Sequence, residues 1–167
     1  MTTLNEIRSH GPCQDGWAKL LKHLGKTRPD AKPLSLLTIL DSNGLGDAVW
    51  CLRTEPTPER TQRFALAVAR RVGHLHPQAK ATLDIVEQYL SGQATKEELE
   101  AAARAADYAA NAADYAAAAD AAYAAAGAAG AAGAANYAAN AADYAANAAD
   151  YAAEREAQAQ IFREIFA

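Results

Sequence analysis

Between Leu99 and Ile161 the chain contains no leucine, isoleucine or valine. An ordinary aliphatic core is excluded over that stretch. The large apolar residues able to build one come from roughly 4 to 99, with Ile161, Phe162, Ile165 and Phe166 added at the end. Cysteine is nearly missing as well: Cys13 and Cys51 lack the density of a secreted disulfide scaffold. The opening segment carries Asn5, Glu6, Arg8, His10, Gln14 and Asp15, so it has no apolar stretch of the kind a signal peptide needs. No strongly apolar run reaches the roughly 18 residues of a membrane span, and the alanine tract is broken by Asp, Asn and Tyr. Positive charge is in deficit, with 16 Lys+Arg against 20 Asp+Glu and a net charge of −4. That balance argues against a nucleic-acid polymer as partner, because such binding relies on cationic side chains to displace counterions. The expectation is a soluble protein of a reducing cytoplasm, without membrane contact.

Signatures of chemistry are also missing. His10 and Cys13 stand three residues apart and His74 and His76 flank Leu75. No second close Cys/His pair completes the spacing of a zinc site. No nucleophile motif surrounds Cys13 or Cys51, and Cys51, between Trp50 and Leu52, reads as a core residue. No glycine-rich phosphate loop of Walker or Rossmann form is present. No metal, no cofactor and no enzymatic activity are expected.

What the chain does have is alanine: 34 of the 53 residues from 101 to 153. The string YAANAADYAA occurs at 108–117, at 137–146 and again at 144–153. Alanine has the highest intrinsic helix propensity, so such a tract can be helical without a large core. Thr95 and Glu98 form a capping box that opens a helix, and the spacing predicts it to run to about Ala126. Gly127, Gly130 and Gly133 weaken it, and a second helix is expected from about 135 to 165. The simplest arrangement is an antiparallel hairpin with its alanine faces together; whether the glycine segment bends or continues as helix is open at this level. Such faces would also serve a homo-oligomer, because small side chains permit close helix approach.

Upstream, the signals are those of short amphipathic helices. Trp17, Leu20, Leu21 and Leu24 share a face before Gly25. The run LSLLTILD after Pro33 reads as a helix in preference to a strand. Asn43-Gly44 breaks the chain before LGDAVWCLR, whose Leu45, Val49 and Leu52 point inward. Thr57-Pro58 starts a further helix, with the threonine hydroxyl as cap and proline in the first turn. It directs Phe64, Ala67, Val68, Val72 and Leu75 to one side. Leu83, Val86 and Leu90 follow after Pro77. Nothing alternates with period two. The fold class is all-α, with a helical region over 1–94 and an alanine-rich hairpin over 95–167, packed on the first region or extending from it.

Two surfaces are candidates for function. At 100° per residue Asp107, Asn111 and Asp114 fall within about 60° of one another, with Tyr108 and Tyr115 beside them. The second helix repeats this with Asn136, Asn140, Asp143, Asn147 and Asp150 beside Tyr137, Tyr144 and Tyr151. The stripe is either a solvated face or a partner surface carried by Tyr108, Tyr115, Tyr137, Asp143, Tyr144 and Tyr151, since Tyr and Asn make adaptable contacts. Tyr137, Tyr144 and Tyr151 are predicted to line one side of a single helix. The other candidate is ILDSNGLGDAVWCLR, residues 39–53, where polar residues crowd among core formers. Asp41, Ser42 and Asn43 can simply cap and turn the chain. Alternatively Asp41 or Asp47, paired with Arg53, Arg60 or Arg63, would line a pocket with Trp17, Ser42, Asn43 and Trp50, suited to a nucleotide or similar small polar ligand.

Four segments carry a family resemblance: HGPCQDGWAKLLKHLG, LTILDSNGLGDAVWCLRT, RTQRFALAVARRVGHL and LDIVEQYLSGQATKEELEAA. In this order, over residues 10 to 105 and ahead of an alanine-rich tail, they resemble the Imm-5-like immunity proteins of bacterial toxin loci and phage genomes. The segment from Ser42 to Arg53 is the most specific part. The family's tails vary, and those of its members carry more Arg, Trp and Asp than the Asn/Tyr pattern here. The resemblance implies a non-enzymatic antagonist in bacterium–phage conflict. One mechanism is binding and blocking a toxin or defence effector. The other is a counter-defence sponge that sequesters a small immune-signalling nucleotide, of cyclic dinucleotide or cyclic ADP-ribose type, in a pocket built around residues 10 to 64.

Overall fold

The structure, a computed structural model, describes residues 1–113, 116–131 and 136–167. Its first element is a two-residue strand, β1 (Thr2–Thr3), paired antiparallel with β2 (Pro33–Leu34) in the register Thr2 to Leu34 and Thr3 to Pro33. All other regular structure described is helical, so the fold is all-α.

Helix starts follow local chemistry. In α1 (Leu4–Ser9) the Thr3 hydroxyl accepts from the Glu6 amide, and in α2 (Gln14–His23) the Cys13 thiol accepts from the Gly16 amide. Ser35 caps α3 (Leu36–Asn43) through the Leu37 amide, so the run after Pro33 is helical from Leu36 onward while Pro33 itself belongs to the strand pair. Gly44, at φ +97°, supplies the turn into α4 (Leu45–Trp50), which is followed by a 3₁₀ turn over Cys51–Thr54. Neither Asp41 nor Ser42 caps α4, which begins on Gly44 without a side-chain cap. Helix α5 (Pro58–Arg70) keeps proline in its first turn, but the Thr57 side chain makes no capping bond there. In α6 (Pro77–Leu90) the cap is His76, whose Nδ1 accepts from the Gln78 amide. The expected capping box opens α7 (Lys96–Ala112), with both the Thr95 and the Glu98 bonds made.

The alanine-rich tract departs from the two-helix hairpin. Helix α7 ends at Ala112, and α8 (Ala116–Gly130) runs through Gly127 to Gly130. It is followed by α9 (Asn136–Asn147) and α10 (Tyr151–Phe166). The Asp150 carboxylate accepts from the Ala153 amide and starts α10 afresh. Tyr151 is therefore on a different helix from Tyr137 and Tyr144, and the predicted row of three along one helix is not formed.

Nor is the tract an appendage. A single apolar cluster joins Leu4, Ile7, Ile39, Leu52, Phe64 and Val68 to alanines of α8 and α9 and to Phe162 and Phe166 of α10, crossing the expected boundary at residue 94. Helix α8 packs against α5, α6, α7 and α9. From Ala121 to Ala129 all its residues except Tyr123 are buried, as befits a helix apolar around its circumference. Alanine and glycine suffice because small side chains let neighbouring helices close in. Large apolar groups come from the chain end, where Phe162 meets Phe64 edge to face at 5.4 Å. Gln158, fully buried, donates to the Ala142 carbonyl at 2.8 Å, and the Arg71 Nε donates to both oxygens of buried Glu154 at 2.7 and 2.9 Å. One inward assignment does not hold: Leu75, in the turn after α5, is 38% exposed.

Candidate functional site

The segment around residues 39–53 does gather side chains, but it gathers them tightly. Trp17, Asn43, Asp47 and Trp50 surround a void of only about 70 Å³ together with Cys13, Gly16 and Cys51. The Asn43 Nδ2 donates to the Gly16 carbonyl and to the Asp47 carboxylate, both at 2.7 Å. Ser42 donates to the Asn43 Oδ1 at 2.7 Å and so fixes the amide's orientation. The Asp47 carboxylate sits so close to Gly16 that a Cβ there would lie 2.5 Å from it. These bonds tie α2 to the turn between α3 and α4 and occupy the polar groups that a ligand would need. Burial, with a contribution from Asp47, pushes the Cys51 thiol up to about 12, and the thiol stays protonated as core. The void falls well short of the ~300–1,000 Å³ of ordinary small-molecule sites.

Apart from Asp47, the charged members of that expected pocket do not line the void. Arg53 lies over the Trp50 ring at 3.9 Å and donates to the Trp50 carbonyl at 2.6 Å. Asp41 pairs with Arg163 of α10 at 2.6 Å. Arg60 donates from Nε to the Ile165 carbonyl at 3.0 Å and covers the Phe166 ring at 4.9 Å. Arg63 is exposed on α5. The carboxylate–guanidinium network with Asp41 or Asp47 is thus not assembled: α10 takes Asp41 and Arg60 for its own docking.

A far larger space opens over the alanine-rich helices. A cleft of about 530 Å³ has α8 as its floor, α7 as one wall and α9 as the other. The α7 wall presents Lys96, Leu99, Glu100, Ala103 and Asp107, positions separated by three or four residues and hence one face of a helix. The α9 wall presents Tyr137, Asn140 and Tyr144, while Tyr123 rises from the floor and Tyr89 comes from the end of α6. Floor and walls can be this deep because α8 offers little above its backbone. Gly127 and Gly130 are the reason on the α9 side. A Cβ on Gly127 would meet the Ala141 nitrogen at 2.9 Å, and one on Gly130 would meet the Tyr137 ring at 2.6 Å.

The cleft has two unlike ends. At one, the Tyr123 and Tyr144 rings stack at 4.9 Å with 26° between their planes. The Tyr123 hydroxyl donates to the Asn111 Oδ1 at 2.9 Å, and the Asn111 amide donates to the Asp107 carbonyl at 2.8 Å. Asp107 therefore lies beside the stacked pair. At the other end Lys96 approaches Glu100 at 3.7 Å, and Tyr137 lies on Gly130. Lys96 and Asp107 are about 16 Å apart along α7 at 1.5 Å per residue. Among the described lining residues, two carboxylates against one ammonium give the cleft a negative balance.

Of the residues expected to form a partner surface, Tyr137 and Tyr144 wall this cleft. Asp143 pairs with Arg155 at 3.2 Å, and that arginine also lies 5.8 Å from the Tyr151 ring. Tyr108 is 78% exposed and Tyr151 57%. Tyr115 lies outside the described residues. The residues that sequence reasoning missed are Tyr89, Lys96, Glu100 and Tyr123, whereas Asp107 and Asn140 belong to the stripe it named. For Lys96 and Glu100 the available signal was the face they share with Asp107 on α7.

Among the described residues no group of His, Cys, Asp and Glu could hold a metal ion, and no helix is long and apolar enough to cross a membrane. Comparison of the chain with protein-family models, with curated proteins and with solved structures finds no match in any of the three.

Proposed function

We propose that this chain is a non-enzymatic binding protein of bacterium–phage conflict that neutralises a toxin or defence effector in the bacterial cytoplasm, and that it holds its target at the tyrosine-walled cleft over α8. The resemblance of residues 10–105 to Imm-5-like immunity proteins supports the class. The observation that carries the location is the lining of the cleft: four tyrosines and an asparagine over an alanine floor, with negative balance. Tyrosine gives large, stiff contact area at low entropic cost, and asparagine gives adaptable hydrogen bonding, the combination found in protein-binding surfaces. The test is a protection assay in bacteria that express the chain and are challenged with the toxins encoded beside its gene. Survival that depends on the chain, with a stable complex of chain and toxin on size-exclusion chromatography, is the expected outcome; killing unchanged by the chain for every such toxin contradicts it.

A second reading rests on the cleft volume of about 530 Å³, which falls within the usual range for small ligands. In it the chain is a sponge for a signalling nucleotide, with a base stacked on the tyrosines. Incubation with cyclic dinucleotides and cyclic ADP-ribose isomers, followed by heating and recovery of intact ligand, separates this reading from the first.

A further inference from the structure

We infer that the occupant of the cleft is a basic segment of the protein partner, with an arginine guanidinium seated on the Tyr123–Tyr144 pair and against the Asp107 carboxylate. The inference rests on the proposed binding role of the cleft and specifies its occupant. The geometry that carries it is local. The two rings stack at 4.9 Å with 26° between their planes, so each covers one face of the other and a ligand meets a single flat outer face instead of a box of converging faces. A planar guanidinium stacks on such a face, whereas a compact ammonium gains most inside an aromatic cage. The Tyr123 hydroxyl donates to Asn111, whose amide donates to the backbone carbonyl of Asp107 one turn earlier, and Asp107 lines the same cleft as Tyr123 and Tyr144. An arginine there stacks on a π surface and can pair its fork with a carboxylate, the two contacts for which it is best suited.

Charge selects the same class. Glu100 and Asp107 stand on one wall about 10 Å apart, at seven residues of 1.5 Å rise, and among the described lining residues only Lys96 opposes them. The whole chain is acidic at −4. A phosphorylated ligand long enough to reach both ends of the cleft has to pass these carboxylates. A basic segment meets them favourably, and steering by the acidic surface adds to its rate of arrival.

The experiment uses the full chain and blocked Gly-Arg-Gly peptides, with titration followed by amide chemical shifts at low and at high salt. Control peptides carry lysine, or citrulline, which keeps the shape of arginine without its charge. The arginine peptide is expected to bind at least about tenfold more tightly than the citrulline peptide, with shifts centred on Tyr123, Tyr144 and Asp107, and to weaken with salt. Asp107→Asn, an exposed substitution that leaves the packing intact, should reduce that preference severalfold, and Tyr144→Ala should remove it. Equal binding of the arginine and citrulline peptides, or shifts centred outside the cleft, overturns the assignment. If the arginine peptide fails while Tyr144→Ala still abolishes neutralisation of a toxin, the occupant is wrong and the binding role stands. If Tyr144→Ala leaves neutralisation intact as well, both fall.

Discussion

The Tyr137 ring lies on the backbone of Gly130, so close that a Cβ at that glycine would stand 2.6 Å from the Tyr137 Cδ1. One turn earlier Gly127 faces the Ala141 nitrogen, where a Cβ would stand 2.9 Å away. These two glycines set the distance between α8 and α9 and with it the depth of the cleft. Glycine inside a helix ordinarily costs up to ~1 kcal/mol relative to alanine. Here the contact should reverse that sign. Gly127→Ala meets backbone that cannot step aside and is expected to destabilise by about 1–3 kcal/mol. Gly130→Ala meets a ring that can swing, and should cost less while displacing Tyr137. Gly46, inside α4 with nothing within 4 Å of a Cβ, should gain up to ~1 kcal/mol as alanine. Urea unfolding of the three variants at constant m-value checks the ordering.

The Arg71–Glu154 pair joins the end of α5 to the start of α10. Glu154 is 3% exposed while the Arg71 side chain is 43% exposed, so solvent can compensate only from the arginine side. Arg71→Ala should cost about 1–3 kcal/mol, because it strips a charged hydrogen bond from a buried carboxylate. Adding Glu154→Gln should recover part of the loss by removing the stranded charge. A double-mutant cycle by chemical denaturation measures both steps.

Cys51 makes a prediction with a definite sign. Its thiol is held up to about 12, first by burial and then by Asp47, against an ordinary value of 9.0. Between those values the unfolded chain releases the thiol proton while the folded chain keeps it. The folded state then binds more protons, so stability falls as pH rises through this window. Cys51→Ala should flatten that part of the alkaline limb relative to the native chain. In native protein at mild alkaline pH a thiol reagent should modify exposed Cys13 and spare Cys51; two thiols should react after unfolding.

Features decided within a few residues were legible in the sequence. The Thr95/Glu98 box, proline in the first turn of α5, Gly44 in the turn before α4 and the core position of Cys51 all follow from local chemistry. The alanine tract was less legible for a specific reason. The string AADYAA occurs at 105–110, 112–117, 141–146 and 148–153. Asp107 and Asp143 lie inside helices in this setting, whereas Asp150 caps one. Local sequence cannot choose between these outcomes. The choice comes from residues further along the chain: Glu154, Gln158 and Phe162 must reach Arg71, the Ala142 carbonyl and Phe64, and α10 turns to bring them there.

The candidate site divides in the same way. That polar residues crowd near Asn43 and Trp50 was legible, and they do converge. Their hydrogen bonds are spent on Gly16 and on one another, which only the packing of α2 against α3 and α4 reveals. The cleft was hidden for the opposite reason, since it is made by what is small. Alanine and glycine in α8 leave room between α7 and α9, and the tyrosines that fill its rim come from three separate helices.

The most direct measurement compares Tyr144→Ala and Arg53→Ala for neutralisation of the partner, with folding of each variant verified by its thermal transition. Tyr144 walls the cleft, and Arg53 covers Trp50 beside the small N-terminal void. The predicted result is loss of at least about tenfold in affinity for Tyr144→Ala, the scale of a central aromatic contact, with Arg53→Ala within a factor of about two or three of the native chain. Loss of binding in folded Arg53→Ala, with Tyr144→Ala unaffected, would contradict the cleft as the binding site and return that role to residues 39–53.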